Sequence, residues 1–221
     1  MEYQPIKYLY KKYTKKQIYN RSLNFYKNIK NRRSIREFKS LKISDRVIKN
    51  AILAAGSAPS GANLQPWYFV IIKNKLIKKK IRIAAEKEEY KFYKYKATKD
   101  WLNALKPIGT NSQKEFLEKA PILIAIFEKK FSMSNNIKTK NYYVKESVGI
   151  ATGILISCLH YSGLSMLTHT PNPMNFLNKI LKRPKNEKPF LLLVIGYSKK
   201  NCVVPYFATK KKSLTKISKW I

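Results

Sequence analysis

Acidic residues are scarce in this chain of 221 residues, which carries 46 Lys and Arg against 12 Asp and Glu and a formal net charge of +34. A charge of this sign favours any polyanionic partner. The lysines are nevertheless scattered along the whole chain and form no single stripe interleaved with stacking aromatic residues. We therefore predict a solvated lysine surface and no specific nucleic-acid partner, with a basic nucleic-acid-binding protein as the alternative.

Cysteine, histidine and glycine are also few. The two cysteines, Cys158 and Cys202, lie far apart, so they and the two histidines form neither a disulfide framework nor a typical zinc constellation, and no metal is expected. The seven glycines give neither a G-x-G-x-x-G motif nor a Walker A loop, which disfavours a Rossmann dinucleotide site and a P-loop. His160 is expected to be a structural histidine at a helix end.

Long hydrophobic runs are absent as well. The longest uncharged apolar stretch, residues 147–159, is shorter than the roughly 20 residues that a membrane-spanning helix needs. The first residues lack the basic, apolar and small-residue regions of a secretory signal. We therefore expect no membrane association and a cytoplasmic location, which the two isolated cysteines also favour.

What the sequence does contain is a mixture of β-forming runs and amphipathic segments, with no internal repeat and no linker. Strands are predicted at 67–72, 121–127, 165–168 and 190–196. Helical segments are predicted at 44–56, 75–96, 99–119 (in pieces), 144–161 and 174–181. Ser44 is expected to cap its helix through its hydroxyl, and residues 128–141 are expected to form a basic loop. Because the segment 144–161 is apolar on nearly every face, the pattern predicts an α+β domain with a central helix packed on a sheet.

The chain is predicted to consist of an N-terminal arm and one domain. Residues 1–30 are rich in Tyr and Lys and include a short amphipathic segment at 18–29. We expect this arm to pack on a partner subunit and residues 31–221 to form a single domain.

Two short motifs flank the first predicted helix and suit an anionic ligand. The first, Arg32-Arg-Ser-Ile-Arg36, offers guanidinium groups and a hydroxyl, which bind phosphate and electron-rich oxygens. The second, Ala58-Pro-Ser-Gly-Ala-Asn63, contains the Pro and Gly of a tight turn that exposes backbone N–H groups. The alternative is a solvated basic face followed by an ordinary connection.

These motifs carry a resemblance to the nitroreductase superfamily. Arg32-Arg-Ser-Ile-Arg36 followed by Ala55-Gly-Ser-Ala-Pro-Ser-Gly-Ala-Asn-Leu-Gln-Pro-Trp-Tyr-Phe69 resembles the opening signature of that family. The resemblance covers nearly the whole chain. It continues through Ala120-Pro-Ile-Leu-Ile124, Glu146-Ser-Val-Gly-Ile-Ala151, Thr168-His-Thr-Pro171, Arg183-Pro-x-x-Glu187 and Leu193-Val-Ile-Gly-Tyr197.

The resemblance implies an FMN enzyme with an α+β nitroreductase-like fold, in which a central mixed sheet packs against a buried central helix. It also implies an intertwined homodimer with FMN at the subunit interface. The residues that it assigns to the cofactor are Arg32, Arg33, Ser34, Arg36, Pro59, Ser60, Gly61, Thr168, His169, Thr170 and Lys211. Lys211 stands where the family usually has an arginine, and a lysine keeps the charge but loses bidentate geometry, so Lys210 or Lys212 could serve instead.

Residues 81–119 correspond to the substrate lid of the family and resemble its halotyrosine dehalogenase branch. Glu89, Tyr93 and Lys114 match a triad that grips an amino acid zwitterion in that branch. Glu89 and Tyr93 are four residues apart and share one helix face, so a carboxylate lies beside a phenol. The alternative is that Glu89 and Lys114 are ordinary surface charges.

The implied reaction is reductive dehalogenation of a halotyrosine-like phenol by FMN, with NAD(P)H or an electron-transfer partner as the donor. The backbone N–H of Ala62 is expected to stabilise the phenolate oxygen. Thr170 is expected to lie near the flavin N5, although its hydroxyl could instead bond its own turn. Tyr143 is expected to close the site. The alternative function on the same scaffold is an NAD(P)H-dependent nitroaromatic or quinone reductase.

Overall fold

The computed structural model describes residues 3–134 and 137–221. The chain forms two units, residues 1–32 and 33–221. The N-terminal unit contains one helix, α1 (Lys15–Ile29). Thr14 begins it with a capping box, in which its hydroxyl accepts from the N–H of Gln17 and the Gln17 side chain accepts from the N–H of Thr14. No residue of α1 is buried.

Within the described residues, the second unit is built on a four-stranded sheet and six α-helices. Its strands are β1 (Trp67–Ile72), β2 (Ile122–Lys129), β3 (Phe131–Ser134), β4 (Ile137–Lys140), β5 (Ser165–His169) and β6 (Glu187–Gly196). Its helices are α2 (Asp45–Gly56), α3 (Lys75–Lys91), α4 (Lys99–Leu105), α5 (Phe116–Lys119), α6 (Val144–Tyr161) and α7 (Phe176–Ile180). The sheet has the order β1-β2-β6-β5, while β3 and β4 form a separate hairpin.

The strand pairs of the main sheet are all antiparallel, which refines the mixed sheet that the resemblance implied. A parallel pairing occurs at one isolated bridge, where Ser34 lies beside Met166 on the outer edge of β5. The prediction of an α+β domain with a central helix on a sheet is confirmed.

Helices cover both faces of the sheet. The side chains of β2 alternate between the two cores that these helices form. Ile122, Ile124 and Ile126 belong to the core shared with α2 and α6, whereas Leu123 and Phe127 belong to the core shared with α3, α5 and α7. Successive side chains of a strand point to opposite faces, so a continuous apolar strand is buried on both sides. Each fully buried side chain of this kind contributes about 1.5–3 kcal/mol through the hydrophobic effect.

The helix α6 packs on the sheet with one face and leaves the opposite face uncovered. Val148, Ala151 and Leu155 are buried against the sheet and α2. Ile150 and Tyr161 on the other face are exposed. Among the described residues, no helix is both long and apolar enough to cross a membrane.

Two local predictions are wrong. The expected basic loop at 128–141 is the end of β2 followed by the β3–β4 hairpin, whose residues 135 and 136 lie outside the described part. Its strands have only four residues each, and β4 carries one apolar residue, Ile137, beside two lysines, so the apolar alternation is too short to reveal the hairpin. The Lys138 ammonium lies 4.2 Å from the Phe131 ring centre. Ser44 does occupy the N-cap position of α2, but its hydroxyl makes no capping hydrogen bond.

Candidate active site

A cavity of about 610 Å³ lies at the end of the edge strand β5. This volume falls within the roughly 300–1,000 Å³ of small-molecule sites. One wall is formed by Thr168, His169 and Thr170, and the facing wall by residues of the predicted lid. The cavity therefore brings together two parts of the sequence that were assigned to the cofactor and to the substrate.

The segment 34–36 reaches the cavity because it runs beside β5. The N–H of Ile35 donates to the Met166 carbonyl at 3.0 Å, which fixes Ser34 and Arg36 in the cavity wall. Among the described residues, no carboxylate lies within ion-pair distance of the Arg36 guanidinium. Burial lowers the pKa of Arg36 from its ordinary value. A desolvated cation without a carboxylate favours an anionic ligand.

His169 adds a buried polar group to the same wall. The residue is 7% exposed, and its ring packs edge-on against Phe116 at 5.6 Å between ring centres. Burial, reinforced by the positive charges of Lys114 and Arg36, lowers its pKa to about 3. The imidazole is thus neutral near pH 7, with one donor and one acceptor nitrogen. Its Nε2 has no hydrogen-bond partner among the described residues, so a ligand could satisfy it.

The three lid residues meet inside the cavity. Lys114 Nζ lies 3.1 Å from Glu89 Oε2 and 5.8 Å from the centre of the Tyr93 ring. The two charged side chains are only 4% and 13% exposed, so they are not ordinary surface charges. Burial lowers the pKa of Lys114, and the neighbouring Glu89 carboxylate opposes that shift. Burial likewise raises the pKa of Tyr93.

Two further aromatic side chains, Phe92 and Trp101, line the same wall as Tyr93, and sequence reasoning missed them as part of the site. A π-helical turn, Phe92–Lys96, follows α3 and widens the helix where Tyr93 faces the cavity. Phe92 packs edge-on against Trp101 at 4.9 Å and against Tyr93 at 5.4 Å between ring centres. The density of aromatic residues between 90 and 101 is the signal that could have identified this wall.

A second group of predicted site residues lies at the start of α6. The N–H of Gly61 donates to Ser147 Oγ at 3.4 Å, and a Cβ on Gly61 would lie 2.9 Å from the Tyr142 carbonyl oxygen, so only glycine fits. Ala62 and Tyr143 both adopt left-handed φ angles, 49° and 48°. The backbone N–H of Ala62 makes no hydrogen bond among the described residues, as its predicted role requires.

The two groups lie on opposite sides of the sheet in a single chain. The cavity borders the core of α3, α5 and α7, whereas Gly61 and Ser147 lie beside the core of α2 and α6. Pro59, Ser60, Gly61, Ala62 and Tyr143 do not line the cavity. One chain therefore does not assemble the whole predicted site.

The remaining predicted cofactor residues lie apart from the cavity or outside its unit. Arg33 is partly buried and does not line the cavity. Arg32 belongs to the N-terminal unit. Lys211, in the C-terminal segment, is exposed and does not line the cavity.

The basic cavity lies beside an antiparallel sheet that is covered by helices on both faces. The chain belongs to the nitroreductase family, whose model matches residues 29–197. This confirms the family that the opening motifs predicted.

Within that family the chain is similar to iodotyrosine deiodinases. It is 48% identical to the one from Haliscomenobacter hydrossis over 195 residues, covering 88% of each chain. It is 41% identical to iodotyrosine deiodinase 1 of Homo sapiens over 207 residues, covering 93% of this chain and 71% of the human protein.

Solved structures of similar proteins share the fold of this chain. An iodotyrosine deiodinase bound to FMN and 3-iodo-L-tyrosine superposes with a TM-score of 0.74 at 28% identity, covering 86% of this chain and 96% of that one. A BluB-like flavoprotein from Clostridium difficile shares the fold, with a TM-score of 0.67 at 24% identity, covering 88% of this chain and 97% of that one.

Proposed function

We propose that this chain is an FMN-dependent oxidoreductase that removes halide reductively from a halotyrosine-like phenol. The observation that carries the proposal is the buried set of Glu89, Lys114 and Tyr93, which faces the same cavity as Arg36. These side chains provide a carboxylate, an ammonium and a phenol, which complement an amino acid with its own carboxylate and ammonium. The similarity to proteins named iodotyrosine deiodinase supports the same assignment.

The cavity suits FMN because its charge and its unsatisfied polar groups match that cofactor. Arg36 offers a desolvated cation, and Ser34, Thr168 and Thr170 offer hydroxyl groups. The unpartnered nitrogen of His169 offers a further hydrogen bond. These residues would hold the cofactor, and we assign Arg32, Arg33 and Lys211 to the same cofactor. When bound, FMN supplies the electron-transfer chemistry, and the protein binds and orients the reactants.

The substrate would enter between Glu89 and Lys114. These two side chains form an ion pair with each other. A bound zwitterion would replace that one buried pair by two pairs, one with Glu89 and one with Lys114. Its ammonium binds Glu89 and its carboxylate binds Lys114, which leaves neither charge buried alone. A simple nitroaromatic or quinone offers neither charge and leaves the pair unopened. Thr170 lies at the cavity wall beside the place where the cofactor would lie.

A second copy of the chain would complete the site. The loop 59–62 and Tyr143 lie on the other side of the sheet from the cavity, so they reach a site of this kind only from a partner. The uncovered face of α6, which carries Ile150, Gly153 and Tyr161, is the surface that we assign to the partner subunit. In that homodimer the Ala62 N–H binds the phenolate oxygen, Tyr143 closes the site, and the N-terminal arm packs on the partner.

The reductant that we assign is NAD(P)H, and the compartment is the cytoplasm. Both cysteines are free, which fits a reducing environment. The reaction consumes two electrons for each carbon–halogen bond that is replaced by a carbon–hydrogen bond, so a reductant of this class must supply them.

The proposal is tested by cofactor content and halide release. The purified protein should be yellow or take up added FMN, and its reduced form should release iodide from 3-iodotyrosine as the flavin is reoxidised. Replacing Glu89 by Gln should raise the KM for 3-iodotyrosine at least tenfold, because a charged hydrogen bond is lost. The matched control is Glu88→Gln, since Glu88 pairs with Lys91 instead of Lys114.

Two results would contradict the proposal. A colourless protein that binds no FMN would overturn the cofactor assignment. Rapid reduction of nitroaromatics without any iodide release would instead select the general nitroaromatic or quinone reductase.

A further inference from the structure

The lid segment just before Lys114 is held in one conformation by local hydrogen bonds. Gly109 ends a 3-10 turn, Lys106–Ile108, with a left-handed φ of 64°, so the chain reverses and Thr110 enters the cavity wall. The Asn111 Oδ1 accepts from the N–H of Gln113 at 3.0 Å. The N–H of Lys114 then donates to Glu86 Oε1 on α3 at 2.7 Å. The backbone of Lys114 is therefore fixed to α3.

The ammonium of Lys114 has three hydrogen atoms and three protein acceptors. It donates to Thr110 Oγ1 at 3.1 Å, to the Asn111 carbonyl, and to Glu89 Oε2 at 3.1 Å. A lysine ammonium can donate no more than three hydrogen bonds. Of these acceptors, only the Glu89 carboxylate would be drawn away by the ammonium of a bound amino acid. When Glu89 leaves Lys114, the Thr110 hydroxyl and the Asn111 carbonyl determine where the third N–H of Lys114 points.

Thr110 and Tyr93 line the cavity together with Lys114. The Tyr93 ring centre lies 5.8 Å from Lys114 Nζ, so the ammonium that bonds Thr110 also lies beside the phenol. Lys114 is therefore the donor whose direction the Thr110 hydroxyl fixes.

We infer that Thr110 is a positioning residue that aims the Lys114 ammonium at the carboxylate of an amino acid substrate. Its hydroxyl accepts from Lys114 Nζ at 3.1 Å, so together with the Asn111 carbonyl it fixes the direction of the N–H that Glu89 would release. The inference rests on the proposed function, because it concerns the zwitterion end of the same substrate. Thr110 touches neither of the substrate's reacting atoms, so its effect belongs to binding.

The test is a set of Thr110 variants with ligands that do and do not carry the zwitterion. Thr110→Val keeps the shape and removes the hydroxyl, and we expect it to weaken 3-iodotyrosine binding about tenfold. The Kd for 2-iodophenol, which has no carboxylate, should change less than threefold. In turnover the KM for 3-iodotyrosine should rise about tenfold, with a change in kcat of less than threefold. Thr110→Ser should restore the wild-type Kd to within about threefold.

The matched control is Thr152→Val. Its hydroxyl donates to the Val148 carbonyl within α6, on the opposite side of the sheet, so its loss should leave both Kd values near those of the wild type. The inference is overturned if Thr110→Val binds 3-iodotyrosine as tightly as the wild type, if both ligands weaken equally, or if Thr110→Ser fails to restore binding. A wild-type protein that binds FMN but not 3-iodotyrosine would overturn the proposed substrate instead.

Discussion

At the scale of single residues, burial keeps His169 neutral and makes it sensitive to acid. Its pKa is about 3 in the folded chain, against an ordinary value of 6.5, so between these pH values only the unfolded chain takes up the proton. The stability that this provides is complete above pH 6.5 and is lost as the pH falls toward 3. We expect a loss of about 2 kcal/mol between pH 7 and pH 5.

Urea unfolding at several pH values measures this loss. Replacing His169 by Gln, which does not titrate, should flatten the dependence of the unfolding free energy on pH over that interval. Thr152→Val, which removes no titratable group, is the control and should keep the wild-type slope. Equal slopes for the wild type and His169→Gln would show that His169 is not the acid-sensitive group.

At the scale of secondary-structure elements, an ion pair joins the turn after α7 to the start of β6. Arg183 donates to Glu187 through two bonds of 2.6 and 2.8 Å, and its guanidinium lies 4.2 Å from the centre of the Tyr68 ring on β1. Glu187 is buried. Replacing Arg183 by Ala should lower the unfolding free energy by about 3 kcal/mol, because it leaves a buried carboxylate without a partner.

A double-mutant cycle separates this pairing from simple loss of packing. Arg183→Ala combined with Glu187→Gln should cost less than the sum of the two single changes, since the second change removes the stranded charge. The exposed pair of Lys119 with Glu115 provides the comparison, and there we expect the two single changes to show little coupling, because solvent screens the charges. Strictly additive losses at Arg183 and Glu187 would refute the coupling.

At the scale of the whole molecule, the proposed dimer depends on the open face of α6. Ile150 on that face is 47% exposed in the single chain and lies outside its buried core, so Ile150→Glu disturbs little packing within it. A charge in the proposed interface should turn the dimer into a monomer in sedimentation velocity and abolish retention of FMN. Leu76→Glu is the matched control, because Leu76 is 71% exposed on α3, and it should stay dimeric. A dimer that survives Ile150→Glu would exclude this face as the interface.

The sequence predicted the fold where local signals were strong. The dense β-forming run Trp67–Ile72 was predicted with the bounds that β1 has, and so was α6, which Gly163 follows with a φ of 83°. The hairpin formed by β3 and β4 was missed because each strand has only four residues and β4 carries a single apolar side chain, Ile137. Local pattern therefore identified elements with buried faces and failed for an exposed one.

The sequence by itself determined the family and the α+β class, because motifs and periodicity are local properties of the chain, and it predicted Glu89, Tyr93 and Lys114 as lid residues. Tertiary structure alone decided the rest. Only folding shows that Glu89 and Lys114, 25 residues apart, form a buried ion pair, and that the Thr110 hydroxyl accepts a hydrogen bond from the Lys114 ammonium. Only the sheet shows that the loop 59–62 lies across it from the cavity. These relations depend on burial and on distances between remote segments, which no local pattern encodes.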